Sequence, residues 1–544
     1  MGLPTPSVPL KTQIFVIGGG PAGSYSATLL AREGFNVTLL ERDVFPRYHI
    51  GESLLPSIHQ FLSLINADEI MSLHGFTPKP GAAVKLNQYS REGYTDFISL
   101  DSNNRAWNVI RSEFDHLLLK HAANNAVGVF EGVKVVKIYF DNEDVGRPVA
   151  ADWESKSGNK GTIHFDWLID ASGRAGIMST QYLRNRKFNK SLKNIACWAY
   201  WTGGGVYAPG TPRENAPWFE ALTANNSRMS SVDQSGWSWF IPLHNGTVSV
   251  GFVMTEESSI AKKAARARCT SLDTSPLKEH YLDQFQHTPG LSDLLKCAQL
   301  QSEVKSASDY SYSASTFSGN HFRIAGDAGA FIDPFFSSGV HLAFTGALSS
   351  ACTIAASIRG QCSELEAMTF HDLKVGTSYT RFLFVVLSAY KQVKAQNAPV
   401  LQDIDEGNFD RAFTLLRPVL QGACDVGKEL TEGEVQMAID FCSNLFAPTD
   451  PKMYEEVEKR IDRRLVAADG PILLLKDIVD IVGPHDEEAA HVLSEINARK
   501  PIHTMYDVAN QFSHESFAGF TTTCEKGKMG LVQVCSTRRE ALPA

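Results

Sequence analysis

The stretch that decides the fold is IFVIGGGPAG, residues 14–23. Residues 14–17 form an apolar run typical of a buried strand, and the Ala- and Leu-rich residues 24–32 are predicted to be helical. The turn between them has the spacing GxGxxG. The first glycine makes the tight turn, the second lets a pyrophosphate approach the backbone, and the third lets helix and strand pack closely. Free N–H groups at the start of the helix would face the phosphates. We assign these turn residues to nucleotide binding: Gly18, Gly19, Gly20, Ala22 and Gly23.

A second buried strand is predicted at residues 37–40, and it ends at Glu41. Strand, glycine turn, helix and second strand make a βαβ unit, and an acid at this point can hold a ribose hydroxyl. A glycine turn alone is common in structural loops, and Glu41 alone would be an exposed acid at a strand end. The four features together predict a dinucleotide-binding fold.

Length, charge and cysteine content limit the classes of protein to which the chain can belong. The chain has 544 residues, so two or three packed regions are expected. A net charge of -9 argues against a nucleic-acid partner, which needs a basic footprint. Nine cysteines show neither a CxxC pair nor Cys/His metal spacing, which predicts reduced thiols in a cytoplasmic protein and no metal site. No targeting segment is recognisable, and no membrane insertion is expected.

The pattern along the chain suggests two parts. Residues 1–360 are predicted to form the nucleotide-binding core, with a substrate-side sheet from about 80–110 and 175–310. In that sheet, strands are expected at residues 198–201, 237–243 and 247–254. A helix is expected at 339–358, and residues 361–544 are predicted to be a helical C-terminal region.

Three later segments resemble the motifs of aromatic flavin hydroxylases: VIRSEFD at 109–115, DASGR at 170–174 and FRIAGDA at 322–328. The resemblance implies an α/β fold with a Rossmann-type FAD-binding domain of the aromatic hydroxylase kind, a mixed substrate-side β-sheet and a helical C-terminal region. It implies FAD as the cofactor, with Asp327 on the ribityl chain. The cofactor residues that it implies beyond the glycine turn are Glu41, Glu52, Arg111, Asp327 and Val340.

Two further segments resemble flavin-dependent halogenases. WSWFIP at 237–242 fits the motif WxWxIP, in which Trp237 and Trp239 would shield the flavin from organic substrates. DPFFSSGV at 333–340 resembles the segment that binds chloride, here Ser338 and Gly339. From the residues alone, the first segment is more simply a strand with core aromatics, and the second is compatible with a helix cap formed by Ser337 or Ser338.

Lys79 lies between two prolines in GFTPKPGAA, residues 75–83. A lysine in such a loop is usually solvated. The segment is, however, similar to the active-site lysine region of fungal phenolic halogenases that act on resorcylic polyketides. The likeness continues through residues 46–53, 91–97, 309–313, 410–413 and 416–418. It implies that Lys79 is catalytic. Tryptophan halogenases carry a glutamate where this chain has Phe336, and its absence favours a phenol, whose ring is already activated.

The resemblance also implies a reaction. FADH2 from a separate flavin reductase would give a flavin hydroperoxide, chloride would attack it to form hypochlorous acid, and Lys79 would deliver chlorine, or bromine, ortho or para to the phenolic hydroxyl. The base is not identified, and His49, His74 and His341 are candidates only by residue type. The alternatives are an FAD-dependent aromatic hydroxylase and a non-catalytic binding protein similar to the escorts of prenylated GTPases.

Overall fold

The structure is a computed structural model that describes residues 7–85, 92–98, 105–222, 236–267, 275–308, 311–393, 456–466, 471, 473, 475–494 and 516–534. The helices are α1 (Pro21–Arg32), α2 (Ile58–Leu64), α3 (Asp68–Leu73), α4 (Arg111–Asn124), α5 (Glu256–Ala267), α6 (Pro276–Asp283), α7 (Pro289–Leu294), α8 (Gly339–Ile358), α9 (Glu364–Val393), α10 (Arg463–Val466) and α11 (Leu475–Val482).

The strands are β1 (Lys11–Ile17), β2 (Val37–Glu41), β3 (Thr77–Lys79), β4 (Gly81–Lys85), β5 (Gly93–Asp96), β6 (Ala106–Asn108), β7 (Gly128–Glu131), β8 (Val133–Phe140), β9 (Pro148–Ser155), β10 (Lys160–Asp170), β11 (Arg186–Phe188), β12 (Asn194–Thr202), β13 (Trp218–Ala221), β14 (Gly236–Pro242), β15 (Thr247–Thr255), β16 (Gln299–Leu300), β17 (Lys305–Ser308), β18 (Tyr312–Ala314), β19 (Ser318–Gly319), β20 (Phe322–Ile324), β21 (Ala330–Phe331), β22 (Ser516–Phe517), β23 (Phe520–Thr523) and β24 (Gly530–Gln533).

A parallel sheet forms the centre of the first layer, in the order β20-β10-β1-β2-β7. Its strands β1 and β2 are almost wholly buried, as expected for strands covered on both faces. The chain passes from β1 through α1 to β2 on one side, whereas β10 and β20 lie on the other side. The direction of strand addition therefore reverses between β1 and β10, which is the switch point of the sheet. In such folds, ligands bind beyond the carboxyl ends of the strands at that point. The predicted Rossmann-type α/β fold is confirmed.

Helix α8 runs through the centre of the molecule and packs against both α1 and α9. Small residues such as Gly346, Ala347 and Ala351 are buried along it and let these helices approach closely. Among the residues that the structure describes, α8 is the one helix long and apolar enough to cross a bilayer, and 83% of that segment is buried inside the fold. The prediction of a helix at 339–358 is confirmed.

A second, mixed sheet has the order β16-β12-β15-β14-β13-β4-β5, with β17 also paired to β12. Its pairs are antiparallel except for β13 with β4, which is parallel. A separate two-stranded sheet joins β3 to β6. The three strands expected at residues 198–254 are present as parts of β12, β14 and β15.

The C-terminal region differs from the prediction of helices alone, because β22, β23 and β24 form a three-stranded antiparallel sheet. Three consecutive β-branched threonines, residues 521–523, and the turn glycine Gly519 at φ 83° favour strands here over a helix. The resembling segments at 410–413 and 416–418, Arg91, and residues 309–310 lie outside the described residues.

Candidate active site

The glycine turn shows which of its glycines the protein itself requires. Gly18 has φ +102°, and a Cβ there would lie 2.3 Å from the Ala171 carbonyl oxygen. A Cβ on Gly23 would lie 1.8 Å from the Gly18 carbonyl oxygen. At Gly20, by contrast, a Cβ would meet only the guanidinium of Arg47, at 3.4 Å. Packing therefore explains the first and third glycines, whereas the second leaves open space at the start of α1 that suits the close approach of a ligand.

Glu41 ends β2 and is 6% exposed. Its Oε2 accepts a hydrogen bond from the Gly19 N–H at 2.6 Å, and its Oε1 accepts one from the Asp43 N–H at 2.8 Å. The acid predicted from the spacing therefore lies against the glycine turn, where it can hold a ribose.

The other two flavin motifs reach the same edge of the sheet. Ile17 at the end of β1 pairs with Asp170 at the end of β10, which pairs with Ile324 at the end of β20. Gly326 follows with φ +64°, and a Cβ there would lie 3.1 Å from Ala22 Cβ at the start of α1. Segments separated by up to about 300 residues therefore meet at the switch point.

Arg111 starts α4 and is 6% exposed. Its guanidinium makes two hydrogen bonds to Asp115, at 2.8 and 3.1 Å, and donates to the Ile50 and Gly51 carbonyls. Burial opposes ionisation of Asp115, but Arg111 and Arg47 outweigh it and hold the pKa of this carboxyl below its usual value. The arginine is thus fixed in place and ties the loop at 50–51 to α4.

Two acids, the buried Glu52 and the partly exposed Asp327, carry pKa values raised towards neutrality. Burial raises the pKa of Glu52 to about 7 and that of Asp327 to about 6, and in both cases the positive charge of Arg111 acts in the opposite direction. The two carboxyls therefore share the neighbourhood of Arg111. Glu52 also accepts a hydrogen bond from the Tyr200 hydroxyl at 2.6 Å. Perturbed acids beside a fixed cation are typical of functional sites.

These residues fit a dinucleotide cofactor such as FAD. The open space at Gly20 can admit a pyrophosphate, Glu41 can hold a ribose, and Asp327 can hold the polyol chain. Val340 is buried in the first turn of α8, in the same apolar cluster as Ala22.

The predicted chloride segment forms a tight turn before α8. Asp333 accepts a hydrogen bond from the Phe335 N–H, and Ser337 has the left-handed φ of 58°. Ser338, 1% exposed, precedes α8, and in this described segment its side chain makes no cap hydrogen bond. The alternative of a helix cap formed by Ser338 is therefore not supported. The backbone N–H groups of the first turn of α8, from Gly339 onwards, have no side-chain cap competing for them.

The two tryptophans lie on one face of β14. Trp237 and Trp239 are buried, with ring centroids 5.8 Å apart. The Trp237 indole makes a T-shaped contact with the Phe335 ring, with the ring centroids 4.9 Å apart. Its N–H donates to the Tyr390 hydroxyl at 2.8 Å. That hydroxyl donates to Asp333 at 2.8 Å. Strand β14 and the turn at residues 333–338 are therefore one packed unit, in which the two indole rings also belong to the core.

Lys79 is buried, not solvated. In β3 the residues alternate, so that Thr77 and Lys79 face inward and Pro78 faces solvent. Lys79 is 2% exposed; its Nζ donates to the Leu54 carbonyl at 2.8 Å and lies 5.2 Å from the centre of the Phe97 ring. Burial lowers the pKa of this amine to about 7. Its acceptor, Leu54, is two residues from Glu52, so the lysine is connected to the cofactor side of the site.

The three histidines considered as candidate bases, His49, His74 and His341, lie in different environments in the structure. Burial, with the charge of Arg111, lowers the pKa of His49 to about 4, which keeps this ring neutral beside the cofactor site. His341 is hydrogen-bonded to Ser57, and His74 lies against Glu113.

Sequence reasoning missed three tyrosines of this region. The hydroxyls of Tyr48 and Tyr200 lie 3.1 Å apart in a hydrogen-bonded chain that continues to Glu52, and Tyr390 holds Asp333 in the turn at residues 333–338. No motif marks them, because their roles depend on contacts between distant segments.

Similarity to known proteins agrees with this geometry. The chain matches the family model described as tryptophan halogenase over residues 13–100 and 84–415. The flavin-dependent halogenase armH1 of Armillaria mellea is 56% identical over 528 residues, 97% of this chain and 99% of that protein. The sulochrin halogenase gedL of Aspergillus terreus is 44% identical over 541 residues, 96% of this chain and 94% of that protein. The solved structure of the myxobacterial chondrochloren halogenase CndH superposes with a TM-score of 0.63 at 26% identity and covers 80% of this chain and 97% of its own.

Proposed function

The chain belongs to the flavin-dependent halogenase family, and from that premise we propose that it chlorinates a phenolic ring ortho or para to the hydroxyl, with Lys79 as the catalytic residue. The observation that carries the proposal is the buried amine of Lys79, whose pKa is lowered to about 7 by burial. Enzymes of this family use FAD, and reduced FAD, when bound, would supply electrons to dioxygen and so activate it to oxidise the halide. A separate flavin reductase provides the reduced cofactor.

Lys79 is suited to deliver oxidised chlorine. At pH 7 its neutral and charged forms are about equally populated, since its pKa is about 7. The neutral amine can attack the chlorine of hypochlorous acid, forming an N–Cl bond and releasing water. A ring carbon of the phenol then takes the chlorine and loses its proton, and the amine is restored. The charged form can instead hold hypochlorous acid by a hydrogen bond. Burial serves both routes because it excludes competing water.

The halide site that we propose is the start of α8. Ser338 and Gly339 present backbone N–H groups at a helix N-terminus, where the helix dipole favours an anion. The family likeness of residues 333–340 supports chloride at this place, and a helix terminus of this kind also accepts bromide. Trp237 and Trp239, packed against the same turn, would keep the phenol away from the flavin and limit direct hydroxylation.

One feature supports a phenolic substrate, and another supports a dedicated small-molecule substrate. Phe336 stands where tryptophan halogenases carry a glutamate, so this turn supplies no carboxylate to activate an indole. The relative from Aspergillus terreus is named for the halogenation of one compound, sulochrin, which supports a dedicated small-molecule substrate.

The test uses Lys79→Ala and Lys79→Arg with FAD, a flavin reductase, NADH, chloride and a panel of resorcinols. We expect both variants to bind FAD and consume oxygen but to lose nearly all chlorinated product, read by its isotope pattern. Arginine retains a positive charge but does not form the same N–Cl bond, and its planar fork needs different space. Lys278→Ala, an exposed lysine on α6, serves as the control that retains activity.

Chlorination at the parent rate by Lys79→Ala would remove the lysine from the mechanism. Loss of FAD binding by the same variant would assign it to the cofactor site. A wild-type product that gains oxygen and no chlorine would favour the alternative, an aromatic hydroxylase.

A further inference from the structure

Three side chains meet on the surface at a place that the halogenation chemistry does not use. His74 lies at the end of α3, Glu113 in the first turn of α4, and His244 in the turn between β14 and β15. The Nε2 atoms of His74 and His244 lie 2.7 and 3.1 Å from the same oxygen, Glu113 Oε2. The three ligand atoms lie within 4.8 Å of one another.

This arrangement has the ligand types and the size of a zinc site. Two imidazole nitrogens and one carboxylate oxygen are a common three-residue set for Zn²⁺, with water in the fourth position. At metal–ligand distances of about 2.0–2.1 Å, tetrahedral ligands are separated by about 3.3 Å. The two distances to Glu113 Oε2 are within about 0.6 Å of that value.

The histidine rings are held by packing. Phe76, 3% exposed, contacts the ring of His74 at 4.4 Å and the ring of His244 at 5.4 Å between centroids. It also contacts Phe114, next to Glu113, at 6.1 Å. The ligands are thus supported by one buried aromatic side chain, which lowers the entropy lost on binding. The side chains keep 21–37% exposure, so an ion can reach them from solvent.

An ion pair alone is the competing explanation. Exposed pairs of this kind contribute little to stability, which gives little reason for two rings to converge on a single oxygen. A divalent cation accounts for the convergence, since both nitrogens and the oxygen would share it.

We propose that His74, Glu113 and His244 bind a divalent transition-metal ion, with Zn²⁺ the best match to the ligand set. The bound ion would cross-link three segments of the chain. Each segment also contains a residue of the proposed active site, a few positions away from the metal ligand. His74 is five residues before Lys79, Glu113 is two residues after Arg111, and His244 is five residues after Trp239. Its role is therefore structural, and it does not depend on the halogenation proposal.

The test is Zn²⁺ binding to the full-length, chelator-treated protein, measured by competition with a chromogenic chelator. His74→Gln and His244→Gln each remove one ligand with little change in size, and His164→Gln is the control, a histidine exposed on β10. We expect one tightly bound ion in the wild type and the control, and at least a tenfold lower affinity in both ligand variants. Zn²⁺ should also raise the melting temperature of the wild type and of the control but not that of the two variants.

A second readout guards against zinc bound elsewhere. Co²⁺ in place of Zn²⁺ should give the visible absorption of a four-coordinate ion in the wild type, and this band should be lost in Glu113→Gln. Zinc affinity that is unchanged by all three ligand substitutions, or no stoichiometric binding by the wild type, would overturn the proposal and leave the cluster as an ion pair.

Discussion

Replacing Lys79 by methionine should make the protein more stable at neutral pH, and the gain should shrink as the pH rises. The folded protein lowers the pKa of Lys79 from 10.5 to about 7 because the amine is buried. Between these two values the unfolded chain holds a proton on this amine and the folded chain does not. Stability of the wild type therefore rises with pH over this range, and the methionine variant lacks that dependence.

The magnitude follows from the two pKa values. A lysine with a folded pKa of about 7 and an unfolded pKa of 10.5 costs about 4 kcal/mol of stability at pH 7 and about 2 kcal/mol at pH 9. Methionine has a similar length and no charge, but it also removes the hydrogen bond to the Leu54 carbonyl, worth about 1 kcal/mol at any pH. The hydrogen-bond contribution is the same at both pH values and cancels when they are compared. The extra free energy of unfolding of the variant over the wild type should therefore fall by about 2 kcal/mol from pH 7 to pH 9.

The assay is urea unfolding of both proteins at pH 7 and pH 9, followed by tryptophan fluorescence, with equal m-values as the check that the same transition is compared. Lys278→Met, at an exposed position on α6, is the matched control and should show no such pH dependence. Parallel curves for the wild type and Lys79→Met across this range would refute the reasoning, because they would mean that the lysine keeps its charge in the folded protein.

Three other substitutions test the remaining parts of the site. Gly20→Val should lower FAD affinity at least tenfold, about 1.4 kcal/mol, without unfolding the protein, because its Cβ meets only an arginine terminus; unchanged affinity by flavin titration would contradict the cofactor assignment. Gly339→Leu should block the halide site and abolish chlorination while oxygen uptake continues, and chlorination at the parent rate would place the halide elsewhere. Tyr390→Phe removes the hydroxyl that joins Trp237 to Asp333, so we expect about 1–3 kcal/mol lower stability and a raised KM for chloride; a KM equal to that of the wild type would show that the turn does not need this support.

The parts of the fold that the sequence predicted well are those set by local patterns. The strand and the helix that flank the glycine turn form as predicted, although β1 begins at Lys11 and α1 at Pro21, in each case three residues earlier than the pattern indicated. Helix α8 has the bounds that its run of small and apolar residues indicated. In both places neighbouring residues carry the whole signal, so no distant contact has to be known.

The parts that could not be predicted depend on distant contacts. Lys79 between two prolines has the local pattern of a solvated loop, and its burial results from pairing with Ala106 on β6 and contact with Leu54. The histidines and the glutamate of the proposed metal site are separated by 39 and 131 residues, so no motif spacing marks them. Only the family resemblance pointed to Lys79, and nothing in the sequence pointed to the metal cluster.

Residues 527–529, which lead into β24, pack against the end of the first helix. Glu33, directly after α1, accepts hydrogen bonds from the Gly527 and Met529 N–H groups and pairs with Arg359, while the Met529 side chain joins the core cluster of α1 and α8. During synthesis at about 5–20 residues per second, Gly527 and Met529 leave the ribosome roughly 25–100 s after α1 does. The nucleotide-binding core can therefore reach its final packing only after residues 527–529 have been synthesised. Until then, Glu33 at the end of α1 lacks these two hydrogen-bond donors.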